Sequence, residues 1–151
     1  MKNSKFKIVL TVDQKDLLQL NQDNVQNIDF IEIRLDLFTS SFVDNRLENI
    51  LRALGKPVIF TSRKTADSSL KINLKISTDI IYRILEKFNS KENFLDIELN
   101  SKNIFENFEN NHFSIIYSYH DFKKTISKKK MQSFIENKLK SPAFKIFKFA
   151  V

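Results

Sequence analysis

The sequence predicts an α/β fold built on a parallel sheet, and three observations predict it. Strand-like apolar runs alternate with amphipathic helical stretches along the chain, six of the first and five of the second. No linker-like stretch and no fixed-period repeat interrupts the 151 residues, 42% of which are hydrophobic, so residues 1–151 make one domain with one sizeable core. In five successive strands, charged or polar residues recur on a single face, which packing alone does not explain.

Taken in order, KFKIVLTV (5–12) is a strand, and DQKDLLQLNQ (13–22) a short helix with Asp13 near its cap. DFIEIRLDL (29–37) alternates strictly, as a strand does. In 44–54, Leu47, Ile50, Leu51 and Leu54 form a helical stripe that ends at Gly55. PVIFTS (57–62) is a strand entered through proline. Ile76, Ile80, Ile81, Ile84, Leu85 and Phe88 mark an amphipathic helix, followed by the strand NFLDIEL (93–99). A weaker helix over 102–110 precedes FSIIYSY (113–119). Ser127 caps a helix carrying Met131, Phe134, Ile135 and Leu139, and FKIFKFAV (144–151) is the last strand. An open doubly wound sheet and a (β/α)₈ barrel both begin this way. Barrels typically run to about 250 residues, so length alone favours the open sheet.

Composition removes several classes of chemistry. With no cysteine there are no disulfides or thiolate metal sites, and a reducing compartment fits. One glycine cannot write a phosphate loop or a dinucleotide fingerprint, and two histidines make a zinc site a poor reading. The N-terminal run IVLTV is too short for a signal sequence, and no segment approaches a membrane span, which reads as a cytoplasmic protein without membrane contact. The net charge of +7 invites a nucleic-acid module. Its lysines are scattered, however, and the one dense cluster, KKTISKKK (123–130), brackets a helix start. No nucleic-acid partner is expected.

The period-2 rule places Glu32, Arg34 and Asp36 on one face of their strand. Thr61 and Arg63 share a face, as do Asp96 and Glu98, Ser118 and His120, and Lys148 with Ile146 and Ala150. In a barrel that face is the lumen, and its C-terminal rim is where catalytic groups gather. A structural ion-pair network is the plainer reading, but each buried charge is costly unless paired. A Ser118/His120/Asp121 triad fails because Asp121 has the wrong parity and no nucleophile elbow is present. Asp96 and Glu98 on one strand do not bracket a sugar bond. Lys148 with His120 is more productive. An apolar sheath of Ile146, Phe147 and Phe149, with Arg34 and Arg63 nearby, favours the neutral amine. A neutral amine attacks ketones to form a Schiff base, and an imidazole is a natural proton shuttle. A lysine snorkelling at a strand end is the bland alternative.

The segments DFIEIRLDLF, PVIFTSRKTAD, NFLDIEL, IIYSYHDFKKT and KIFKFAV occur in the order and at about the spacing found in the type I 3-dehydroquinate dehydratases. The chain resembles that family from its first strand to its last residue. The resemblance implies a (β/α)₈ TIM-barrel fold in place of the open sheet, here as an incomplete (βα)₅β portion with parallel strands. It implies a hydro-lyase of the shikimate pathway to chorismate and the aromatic amino acids, acting on 3-dehydroquinate without metal or cofactor. His120 becomes the proton donor and acceptor, and Lys148 the Schiff-base lysine. Glu32, Arg34 and Arg63 become substrate-binding residues, supported by Asp36, Asp67, Asp96, Glu98 and Ser118. A homodimer is in keeping with the family.

Two departures stand out. The family's Glu-Gly-Gly after the third strand is replaced here by Asp67, Ser68 and Ser69, and Ile126 stands where proline is common. The family also continues for two more strand–helix units, so the expectation is a C-terminally truncated, split or prematurely ended chain, ending just after the lysine, with Lys148 on an open edge strand and less desolvated. An inactive remnant, or a half-barrel needing a partner to close, is the alternative reading; a basic nucleic-acid-binding module is a weaker one.

Overall fold

A computed structural model describes residues 6–63, 76–99, 104–105, 108, 112–121, 123–139 and 144–150. Six parallel strands form one sheet in sequential order: β1 (Val9–Val12), β2 (Phe30–Arg34), β3 (Val58–Thr61), β4 (Phe94–Glu98), β5 (Ser114–His120) and β6 (Lys145–Ala150). Sequential order means that every crossover steps the same way, so the sheet curls into half a barrel. A doubly wound sheet instead reverses direction at a switch point. The preference that length gave to an open sheet is therefore overturned, and the partial TIM-barrel is the fold.

The helices are α1 (Gln14–Leu17), α2 (Ser40–Phe42), α3 (Glu48–Leu54), α4 (Thr78–Lys87) and α5 (Lys128–Lys138). Asp13 caps α1 by accepting from the Asp16 N–H at 2.9 Å, yet the helix lasts only four residues, short of the expected 13–22. The second expected helix begins earlier than residue 44, because α2 runs through a π-turn (Val43–Leu47) into α3. Ser127 caps α5 as expected, its hydroxyl accepting from Lys130 N–H at 3.3 Å. The expected helix over 102–110 lies outside the described residues except for Ile104, Phe105 and Phe108.

Alternation divides each strand between two cores. Facing the helices, Ile31, Ile33, Val58, Phe60, Leu95, Ile97, Ile115 and Tyr117 pack on Leu17, Leu47, Leu51, Ile81 and Leu85, all buried. The stripe of α4 seen in the sequence supplies Ile81, Ile84 and Leu85 to this core. Helix α5 is less committed: none of its residues is buried, and Leu139 is exposed. On the lumen side, Ile59, Phe94 and Ile116 form a smaller apolar cluster with Phe30, whose ring meets Phe94 edge-on at 5.4 Å. This cluster is the floor on which the polar groups stand.

Gly55 ends α3 with φ of +63°, the left-handed conformation in which its N–H bonds the carbonyl of Leu51. An added Cβ would meet nothing within 4 Å, so Gly55→Ala costs conformational strain alone, about 1–2 kcal/mol. Urea denaturation should show a lower midpoint at an unchanged slope; an unchanged midpoint contradicts the strain argument.

Candidate active site

Strand register carries one polar band across the half-barrel. Thr11 pairs with Glu32, Arg34 with Thr61, Thr61 with Asp96, Glu98 with Ser118, and Ser118 with Lys148. Because register partners share a face, these side chains converge on the lumen. Below them an open trough of about 870 Å³ is lined by Glu32, Asp96 and Lys148 together with the apolar floor.

Arg63 is the hub of the band. It follows β3 rather than lying within it, and its guanidinium crosses to β4 and β5. One terminal nitrogen donates to Glu98 Oε2 at 2.7 Å and to Ser118 Oγ at 2.9 Å; the other donates to Asp96 Oδ2 at 2.8 Å. The Ser118 hydroxyl in turn donates to Asp96 Oδ1. These charges are almost wholly shielded, with side-chain exposures of 5% for Arg63, 1% for Asp96 and 2% for Glu98. Burial at this depth is tolerable only because each charge has an oppositely charged partner and further hydrogen bonds.

Asp36 does not extend β2. Leu35–Leu37 form a 3₁₀ turn, and the Asp36 carboxylate is gripped by Arg34 through Nε at 3.0 Å and a terminal nitrogen at 2.6 Å. Asp36 Oδ1 also accepts from the backbone N–H of Arg63 at 3.0 Å. The expected shared face with Glu32 is thus replaced by a clamp on the Arg34 guanidinium and the Arg63 backbone, made where the chain leaves β2 in a 3₁₀ turn.

Glu32 is held by two hydroxyls, Thr11 Oγ1 at 2.6 Å and Thr61 Oγ1 at 2.7 Å. Burial pushes its carboxyl pKa up, but the hydrogen bonds from Thr11 and Thr61 and the charges of Lys148 and Arg63 oppose it. The net result lies below the ordinary 4.5. A depressed folded value means that the ionised carboxylate stabilises the fold fully above pH 4.5, and that this is lost as pH falls through the lower folded value. Thr61→Val removes one donor, so the Glu32 pKa should rise and acid unfolding should begin at higher pH. A carboxyl-carbon NMR titration reads the change directly, and an unmoved Glu32 resonance contradicts it. Thr11 escaped the sequence reading, although a lone hydroxyl at lumen parity in IVLTV was its signal.

His120 ends β5 with its Nδ1 2.8 Å from Glu98 Oε2, and its backbone N–H donates to Glu98 Oε1 at 3.0 Å. Its ring is only 12% exposed. Lys148 stands one pleat away: it pairs with Ser118, and His120 with Ala150. Strand geometry separates the His120 and Lys148 Cα atoms by roughly 8 Å, within reach of a long side chain and a ring acting on one small molecule. The expected apolar sheath around the lysine is not formed. Lys148 is exposed, Ile146 is 42% exposed, and Phe147 turns to the helix side to stack on Tyr117 at 5.6 Å. The physical reason is that β6 pairs with β5 alone among the described strands, so no described strand covers its other flank. Asp67, Ser68 and Ser69 lie outside the described residues. Among the described residues no group of three or more His, Asp or Glu is arranged to hold a metal ion, and no helix is long and apolar enough to cross a membrane.

The sequence matches the family model of type I 3-dehydroquinase over residues 6–151. The chain belongs to the type I 3-dehydroquinase family. It is thereby placed among hydro-lyases. The crystal structure of the 3-dehydroquinate dehydratase from Aquifex aeolicus VF5 is similar in fold, with a TM-score of 0.65 and 18% identity over 95% of this chain and 67% of that one. No curated protein matches the chain by sequence. Within this dehydroquinase-family chain, the structure brings Glu32, Arg34, Arg63, Asp96, Glu98, Ser118, His120 and Lys148 to one face, with Asp36 behind the arginines.

Proposed function

We propose that the chain converts 3-dehydroquinate to 3-dehydroshikimate and water through a Schiff base on Lys148, with His120 moving the protons. The observation that carries this reading is the placement of an amine and a carboxylate-held imidazole one pleat apart on adjacent strands, beside a trough lined by Glu32, Asp96 and Lys148 itself. The Lys148 amine attacks the C3 ketone, and loss of water leaves a protonated imine. That imine is an electron sink, so the C2 proton becomes acidic, and His120 removes it. The resulting enamine expels the C1 hydroxyl, which leaves as water with the proton returned by His120. Hydrolysis of the imine releases the product and restores the amine. Glu32, an anion held by two hydroxyls, and Arg34 suit the substrate's hydroxyl groups.

The product conjugates its new C1–C2 double bond with the C3 carbonyl, so growth of enone absorbance from 3-dehydroquinate tests the reaction. Absorbance rising in proportion to the protein supports the reading, and folded protein that leaves the substrate unchanged defeats it. The proposal includes a place in the shikimate pathway, a cytoplasmic location, a homodimer and no nucleic-acid partner. Light scattering and a salt-dependent RNA-binding titration address the last two. The exposure of Lys148 favours a second reading, in which the site residues are present but the amine is not activated until another surface covers β6.

A further inference from the structure

We infer that Glu98 is the positioning residue of His120, fixing the ring as the Nδ1–H tautomer so that Nε2 is the nitrogen that exchanges protons. Its catalytic meaning rests on the proposed reaction; the tautomer itself does not. Glu98 grips residue 120 twice, with Oε2 on the ring at 2.8 Å and Oε1 on the backbone N–H at 3.0 Å. Strand register and ring orientation are thereby set by one carboxylate. That carboxylate is an anion, because Arg63 donates to it at 2.7 Å in a site only 2% exposed. An ionised carboxylate only accepts, so the ring nitrogen facing it must carry hydrogen, and in the neutral ring the lone pair falls to Nε2.

Among the described residues, the neighbouring acids have other partners. Asp96 is bound by Arg63 and Ser118, and Asp121 accepts from the backbone N–H groups of Lys123 and Lys124. Charge supports the assignment too. Arg63, Asp96 and Glu98 sum to −1 with a neutral ring and to zero when Nε2 takes a proton. Proton abstraction by His120 therefore discharges a buried cluster instead of charging it.

Nitrogen-15 NMR of histidine-labelled full chain tests the inference. The chain has two histidines, and His112→Gln assigns the signals. Neutral His120 should show a protonated Nδ1 and an unprotonated Nε2; the opposite tautomer overturns the inference. In Glu98→Gln, one amide must face donors with either end, so the Nε2–H tautomer should grow. The kcat should fall about 10²-fold, with KM little changed. A variant that keeps the tautomer and the kcat also overturns it. If Glu98→Gln does not fold, the wild-type tautomer decides. If wild-type protein turns over no substrate, the proposed reaction fails, while the tautomer still decides the role of Glu98.

Discussion

Lys148→Met abolishes conversion of 3-dehydroquinate and leaves the fold intact. Both halves of this expectation come from where the lysine stands. Its side chain is exposed on β6 and contributes no buried packing, so methionine, of similar length, should leave the melting temperature within a degree or two. The chemistry has no substitute, because His120 can remove a proton but cannot provide the electron sink that makes it acidic. Enone formation should drop to the level of protein-free buffer. A variant that retains turnover contradicts imine catalysis at Lys148, whereas loss of turnover together with loss of fold points to a structural role.

The second large effect falls on stability. Arg63→Met strands Asp96 and Glu98 as uncompensated anions in a site where they are 1% and 2% exposed. Removing one partner of a buried ion pair costs roughly 3–5 kcal/mol. Domains of this size have only about 5–15 kcal/mol in total, so the variant should unfold at markedly lower urea concentration. Adding Glu98→Gln removes one of the stranded charges, and the double variant should recover part of the loss. This non-additivity distinguishes electrostatics from packing: a cycle in which the two losses simply add contradicts the role given to Arg63 as counter-ion.

Much of the half-barrel was legible because its signals are local. Strict alternation in FIEIR, the stripe of α4 and the Gly55 stop each depend on a few neighbouring residues, and each appears in the structure. The polar face of five of the six strands was readable from parity alone. Relations between strands were not. Asp36 continues the period-2 pattern of Glu32 and Arg34, but the backbone turns at Leu35, and its role as a clamp on Arg34 and Arg63 depends on β3 lying beside it. Arg63 appeared as a residue sharing a face with Thr61, and only the register shows it reaching β4 and β5. The apolar neighbours of Lys148 in sequence suggested a sheath, whereas the shortened barrel suggested an open edge strand, and the lysine is exposed on such an edge. Burial is set by what lies across the sheet, and β6 has one paired flank. Length misled in the same way: it argued for an open sheet, while strand order, a global property, gives the barrel portion.

The measurement closest to the central claim is borohydride reduction of the chain in the presence of 3-dehydroquinate, followed by peptide mass spectrometry. A reduced ligand adduct confined to Lys148 is the expected result. It would place imine chemistry on β6 even where turnover is slow. Folded protein that carries no adduct, or carries it on other lysines, would contradict the assignment of Lys148 as the nucleophile and leave the polar band as a structural ion-pair network.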